Sequence, residues 1–160
     1  MSFGLDPTNV QAWASVVSAI GSVAALIYLA IQIRQLRQAT RGTANDQLNQ
    51  RCFDILKFLS TEPKSYAYFY LNVDMRAEKD SQEYVFMQYA AEALCNLMED
   101  VVLQRDNLSP MERQSWNKFV KDSYARSPVL RRHLTKYRTW YAAKLYEMVE
   151  DVRPFAADQL

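Results

Sequence analysis

The segment Trp13–Ile33 contains 21 consecutive residues without a charged side chain, and this run most constrains what the chain can fold into. A helix of this length spans about 31 Å, close to the roughly 30 Å hydrocarbon core of a bilayer. A surface helix of a soluble protein would show a polar face, whereas the only strongly polar side chain of this segment is Gln32, near its end. A fully buried core helix is the alternative, but it needs a larger globule than the rest of the chain supplies. We therefore expect a transmembrane helix over residues 13–33.

Basic residues follow this segment directly. Arg34, Arg37 and Arg41 fall on one side of a helix, whereas the preceding arm, residues 1–12, contains no Lys or Arg. Positively charged flanks stay in the cytoplasm, so we expect the N-terminus outside and the bulk of the chain inside. Trp13 suits the outer interface, and the arginines suit the phosphates of the inner leaflet. A cleaved signal peptide is the alternative, but its basic residues would precede the apolar run.

Small residues recur along one face of the predicted span. Ala14, Ser18 and Ser22 are four residues apart, and Gly21 and Ala25 extend a small face beside them. This spacing allows two membrane helices to approach closely. It predicts a homo-oligomer or docking on other membrane subunits; chance is the alternative, because small residues are common in spans.

The remainder of the chain has helical signals. A capping residue followed by proline or by Glu three positions later marks a helix start. Such starts occur at Asp6-Pro7, Asp80 with Glu83, Ser109-Pro110 with Glu112, and Ser127-Pro128. Apolar residues recur every three or four positions, as in a helix, within the ranges 44–60, 84–101, 110–125 and 130–152. The aromatic stretch 65–73 could form a strand, but it has no partner strand, so we expect a short helix there.

These signals predict an all-α protein in which one N-terminal transmembrane helix continues into a cytoplasmic bundle of four or five helices. The predicted divisions are a short extracytoplasmic arm (1–12), the transmembrane helix (13–33), a basic juxtamembrane helix (34–43), the cytoplasmic bundle (44–153) and a C-terminal tail (154–160).

Catalytic and metal-binding patterns are missing from the sequence. There is one histidine, His133, whose basic neighbours suggest a solvated helix position rather than a catalytic or metal-binding role. Cys52 and Cys95 fall in helical patterns and are expected to pack as small apolar groups. Without a glycine-rich phosphate loop or a zinc-ligand spacing, we expect no enzyme activity, no catalytic residue, no metal and no cofactor.

Charge is distributed unevenly although the formal net charge is only +1, which gives no reason to expect DNA binding. Residues 62–100 contain eight acidic and three basic residues, whereas residues 105–144 contain ten basic and three acidic ones. The basic and aromatic stretch 126–144 supplies candidate anion-binding residues, namely Arg131, Arg132, Lys136, Arg138 and Trp140. Guanidinium groups beside aromatic rings suit phosphate binding with base stacking.

Three interpretations of this stretch remain open. Its bases could contact anionic lipid or a protein partner, could hold a nucleotide, or could form a solvated helix face above a core of Tyr137 and Tyr141. In the last case they could pair with acids such as Glu92, Glu99 or Asp100.

The segment "LIYLAIQIRQLRQATR", with the distal Trp116, Ser127-Pro128 and Trp140, resembles a group of uncharacterised small bacterial inner-membrane proteins. In that group a single N-terminal span ends in a YLAxQIR-type motif, matched here by Tyr28, Leu29, Ala30, Gln32, Ile33 and Arg34. The resemblance implies a single-span topology in the bacterial inner (plasma) membrane, with a helical cytoplasmic domain. It implies no particular activity.

Two functions are therefore predicted. The first is a non-enzymatic, single-pass membrane protein that acts as an interaction or accessory subunit of a membrane complex. The alternative is a membrane effector whose cytoplasmic domain binds an anionic ligand, such as a nucleotide second messenger, and alters a transmembrane oligomer.

Overall fold

The structure, a computed structural model, describes residues 7–155. In the first helix, the side chains at positions 7–10, 12–14, 16, 37, 38, 40 and 41 are not described. All regular structure in residues 7–155 is helical, which confirms the predicted all-α class. The α-helices are α1 (Pro7–Leu59), α2 (Ser65–Tyr70), α3 (Gln82–Leu103), α4 (Pro110–Arg126), α5 (Pro128–Lys136) and α6 (Ala143–Val149), with a 3-10 helix at Arg105–Asn107. The chain divides into two compact units, Met1–Thr40 and Arg41–Leu160.

In the described residues, the first unit consists of the N-terminal part of α1. The helix begins at Pro7, as the proline signal predicts, while the proposed cap Asp6 lies outside the described residues. Within it, Val17–Leu36 is long and apolar enough to cross a membrane, and none of this stretch is buried by the rest of the chain. The Ser22 hydroxyl donates to the Ser18 carbonyl at 2.9 Å, so this polar group is satisfied inside the helix.

The second unit is a helical bundle with α3 at its centre. α3 packs against α4, α5 and α6, and α5 also packs against α2 and α4. One face of α3 is fully buried because its apolar residues recur with helical spacing; this face comprises Met87, Ala90, Ala91, Leu94, Cys95, Leu97, Met98, Val101 and Val102. The last turns of α1 join the same core through Ala44, Leu48 and Leu59.

The predicted count of four or five helices is not confirmed, and one reason lies near the C-terminus. The apolar pattern over 130–152 is continuous, yet the structure divides it between α5 and α6. The Glu99 carboxylate on α3 accepts a hydrogen bond from the Ala142 backbone N–H at 2.6 Å, which satisfies a donor at the start of α6. Leu134, Tyr141 and Leu145 nevertheless remain buried on both sides of the break.

Two of the three capping signals within the second unit are confirmed. Ser109 and Glu112 form a complete capping box at the start of α4, and the Ser127 hydroxyl caps α5. The box predicted at Asp80 is wrong, because Ser81 caps α3 and accepts from the Tyr84 N–H. Sequence spacing alone did not separate these adjacent polar residues.

Candidate functional site

A groove between α3 and α5 brings together several of the predicted anion-binding residues. It contains two adjoining cavities of about 440 and 270 Å³, both lined by Tyr84, Gln88 and His133. The larger one, here called the basic cavity, is completed by Met75, Val129, Arg131, Arg132, Thr135 and Lys136. The smaller one, the aromatic cavity, is completed by Lys79, Val85, Tyr89, Glu92, Tyr137 and Trp140.

Arg131 is already engaged by the fold. Its guanidinium donates to the carbonyls of Tyr124 and Ala125 at 3.0 and 2.7 Å and to the Asn72 side chain at 3.1 Å. Asn72 adopts a positive φ of 53° and donates to the Phe155 carbonyl at 2.7 Å. Burial lowers the pKa of Arg131. Arg131 thus joins α4, α5 and the segment after α2, and it lines the cavity as a structural group.

Arg132 and Lys136 are less committed. Arg132 pairs with Asp74 at 2.9 Å, and both side chains are more than half exposed. Lys136 lies over the Tyr137 ring at 4.9 Å, and a hydrogen bond to Tyr137 raises the pKa of the lysine. Exposed ion pairs contribute little, about 0–1 kcal/mol, so Arg132 can exchange Asp74 for another anion at small cost.

The other two predicted residues occupy different positions. Arg138 lies over the Tyr146 ring at 5.3 Å and lines a separate cavity of about 520 Å³. Trp140 is 61% exposed at the aromatic cavity, with its ring 4.4 Å from that of Tyr137. The Tyr137 ring lies 4.7 Å from His133, so an aromatic row leads from the surface inward.

His133 is buried, which corrects the expected solvated position. Its Nε2 lies 2.9 Å from the Tyr141 hydroxyl, while its buried Nδ1 has no hydrogen-bond partner in the described part of the chain. Burial lowers the pKa of His133, against an opposing influence of the Glu92 charge. Cys95 is also buried, and burial raises the pKa of its thiol, so it packs as an apolar group as predicted.

Among the described residues, none of the three acids proposed as partners forms an ion pair with the basic stretch, so this pairing is wrong. Asp100 forms an ion pair with Arg51, and Glu99 accepts the Ala142 N–H. Glu92 lines the aromatic cavity instead. The contact with the acidic segment 62–100 is made by Arg132 with Asp74.

Sequence reasoning did not identify the α3 side of the groove. Tyr84, Gln88 and Glu92 are four residues apart, so they lie one above another on one face of α3. That spacing was available as a signal, but the same residues could equally have formed a solvated face. Among the side chains that the structure describes, no group of three or more His, Cys, Asp or Glu residues could hold a metal ion.

The predicted residues of the span are only partly described. Ser18, Gly21, Ser22, Ala25 and Arg34 are all exposed on α1. A Cβ added at Gly21 would meet nothing within 4 Å. The side chains of Trp13, Ala14, Arg37 and Arg41 lie outside those that the structure describes.

Comparisons of the chain with models of known protein families, with curated proteins and with solved structures found no match. The chemistry of the groove therefore rests on its own residues. Its basic cavity offers cationic donors, and its aromatic cavity offers flat rings together with one carboxylate. Such an arrangement is suited to binding an anion that carries an aromatic group.

Proposed function

We propose that this protein is a non-enzymatic, single-pass membrane protein whose helical second unit acts as an interaction or accessory subunit of a membrane complex. The observation that carries the proposal is that no residue of the apolar stretch Val17–Leu36 is buried by the rest of the chain. Removing a side chain such as Leu or Ile from water contributes about 1.5–3 kcal/mol. A bilayer supplies that environment along the whole circumference of a helix, whereas a soluble core would already bury it.

The same stretch supports association between spans. Ser18, Gly21, Ser22 and Ala25 are exposed, and the space beside Gly21 is open. Close backbone approach between membrane helices depends on such small side chains. The proposed partners are a second copy of this chain or the span of another membrane subunit.

Orientation follows from the basic flank. With Arg34, Arg37 and Arg41 after the span and no basic residue before it, the bundle of the second unit would face the cytoplasm. The proposed location is the bacterial inner membrane, with the arginines near anionic lipid headgroups.

Retention in the membrane after alkaline carbonate extraction tests this proposal. We expect the full chain to stay in the membrane pellet and the variant Val23→Lys/Ile27→Lys to be released, since each central lysine opposes insertion by about 2.5–3.5 kcal/mol. The matched control is Phe53→Lys/Leu56→Lys, which replaces exposed apolar residues of α1 outside the span and should stay in the pellet. Release of the unmodified chain would contradict the proposal.

A second function is favoured by one specific observation. The basic cavity is lined by Arg131, Arg132 and Lys136 and by no carboxylate. The protein would then be a membrane effector whose bundle binds an anionic ligand and alters an oligomer of spans. Saturable binding of a phosphate-containing ligand that depends on Arg132 and Lys136 is the test.

A further inference from the structure

We propose that the groove between α3 and α5 binds a nucleotide, with phosphate in the basic cavity and the base in the aromatic cavity. The inference rests on the second function proposed above and adds the ligand class and its orientation. Both cavities are lined by Tyr84, Gln88 and His133, so they adjoin along the groove. From Tyr84 to Glu92 this groove follows two turns of α3, about 12 Å, a length that suits a mononucleotide.

The phosphate end is defined by the two available cations. Among the described residues, Arg132 pairs with the exposed Asp74, and Lys136 contacts Tyr137. A phosphate group accepts several charge-assisted hydrogen bonds at once, which the single Asp74 carboxylate does not match. Arg131 contributes positive charge to the same cavity while its hydrogen bonds to Tyr124, Ala125 and Asn72 stay in place.

The base end is defined by exposed aromatic rings. Tyr89 is 64% exposed and Trp140 61%, although both line the aromatic cavity. Trp140 is held by its contact with Tyr137, so its ring is positioned before any ligand arrives. Flat bases stack on such rings, whereas the headgroup of an anionic phospholipid has no flat ring. This difference favours a nucleotide over a lipid surface.

Two polar side chains at the base end are still unpaired. Gln88 and Glu92 are half-buried, and neither makes a side-chain hydrogen bond within the described part of the chain. An ionised Glu92 accepts hydrogen bonds only, so it selects a base with N–H groups on its edge. Of the two cavities, Glu92 lines the aromatic one, so no carboxylate lines the phosphate end.

Equilibrium dialysis of the full chain in detergent tests the inference, with GMP, AMP, inorganic phosphate and the soluble lipid headgroup glycerophosphoserine as probes. We expect saturable nucleotide binding that is at least tenfold tighter than phosphate binding. The variant Arg132→Gln/Lys136→Gln should weaken nucleotide binding at least tenfold. The matched control Arg138→Gln removes a cation from the other cavity and should change binding less than twofold.

Two further variants examine the base end. Tyr89→Ala/Trp140→Ala should weaken nucleotide binding without changing phosphate binding, and Glu92→Gln should weaken the binding of GMP and AMP, whose bases both carry N–H donors. Equal binding of phosphate and nucleotide, or binding of glycerophosphoserine alone, would overturn the nucleotide inference; if either depends on Arg132 and Lys136, the anion-binding function stands. If no probe binds saturably, both the nucleotide inference and the anion-binding function are overturned. The membrane-anchor proposal is tested separately, by carbonate extraction.

Discussion

Neighbouring basic side chains on α5 differ in how much of their hydrogen-bonding capacity the fold already uses. Arg131 donates to two carbonyls at the end of α4 and to Asn72, whereas Arg132 reaches only the exposed Asp74. The sequence shows two adjacent arginines and does not distinguish them. The position of α4 beside α5 gives Arg131 its structural hydrogen bonds and leaves Arg132 able to bind another anion.

Replacing these arginines separately should therefore have different effects. Arg131→Gln leaves the Tyr124 and Ala125 carbonyls without their charged donor, and we expect a loss of about 2–4 kcal/mol in the free energy of unfolding. Arg132→Gln should cost about 0–1 kcal/mol, because the pair that it breaks is exposed. Denaturant unfolding of the full chain in detergent, followed by circular dichroism, measures both. Equal losses would show that the Arg131 network does not stabilise the bundle.

His133 predicts a pH dependence of stability. Burial lowers its pKa in the folded protein below the usual value of about 6.5, so the unfolded chain binds the proton more readily. The contribution of neutral His133 to the free energy of unfolding is complete above about pH 6.5. It is lost as the pH falls towards the pKa of His133 in the folded protein. The charges nearby act in opposite directions, since Glu92 raises the pKa and Lys136 lowers it.

Unfolding midpoints measured between pH 7.5 and 5.0 test this dependence. The midpoint of the unmodified chain should fall with pH, and His133→Gln should flatten the profile. Glu83, whose pKa is lowered by Lys64, loses its contribution only below about pH 4.5 and so does not enter this window. An identical pH profile in the His133→Gln variant would contradict the assignment.

At the scale of the helices, local signals identified most starts but not every end. Ser109 and Ser127 begin α4 and α5 as predicted because a capping hydroxyl needs only its own next turn. The break between α5 and α6 depends on Glu99, which is 43 residues away from Ala142 in the chain. The apolar spacing over residues 130–152 is continuous across that break and therefore does not predict it.

The two confirmed caps should differ in their contribution to stability. The buried Ser127 hydroxyl accepts from the Leu130 N–H and also donates to the Tyr68 carbonyl at 2.9 Å, which ties α5 to α2. Ser127→Ala should therefore cost about 2–3 kcal/mol, because it removes both the cap and the hydrogen bond to the Tyr68 carbonyl, against about 1 kcal/mol for Ser109→Ala. The same unfolding measurement compares them, and a smaller loss at Ser127 would contradict the role of the Tyr68 contact.

The small face of α1 can be tested within the element. Ser18→Ile/Ser22→Ile adds branched bulk where close approach is proposed, and we expect self-association to weaken by about 1–2 kcal/mol. Val17→Ile/Val23→Ile adds bulk at other positions of the span and is the matched control. Förster transfer between labelled chains in liposomes measures the association. Equal weakening in both pairs would show that the small residues do not form the contact.

At the scale of the whole molecule, the sequence predicted the helical class from capping residues and apolar spacing, and the apolar N-terminal stretch from its length and polarity. The groove was predicted only in part. Arg132, Lys136 and Trp140 were identified, but Gln88 and Glu92 on α3 were not, because a site formed by two helices depends on how they pack. Arg138 was assigned to the same surface and lines another cavity, since the chain turns between α5 and α6.

The central claim is that α1 crosses the membrane with its N-terminus outside and the bundle in the cytoplasm. Cys95 is buried and is expected to resist labelling on either side of a membrane. Ser115, an exposed position of α4, is therefore used as the reporter for the bundle. The chains compared carry Ser2→Cys or Ser115→Cys, each with Cys52→Ser, and are treated with a membrane-impermeant maleimide in intact spheroplasts. We predict that the cysteine at position 2 is labelled before lysis and the one at position 115 only after lysis. Labelling at position 115 in intact spheroplasts would contradict the account.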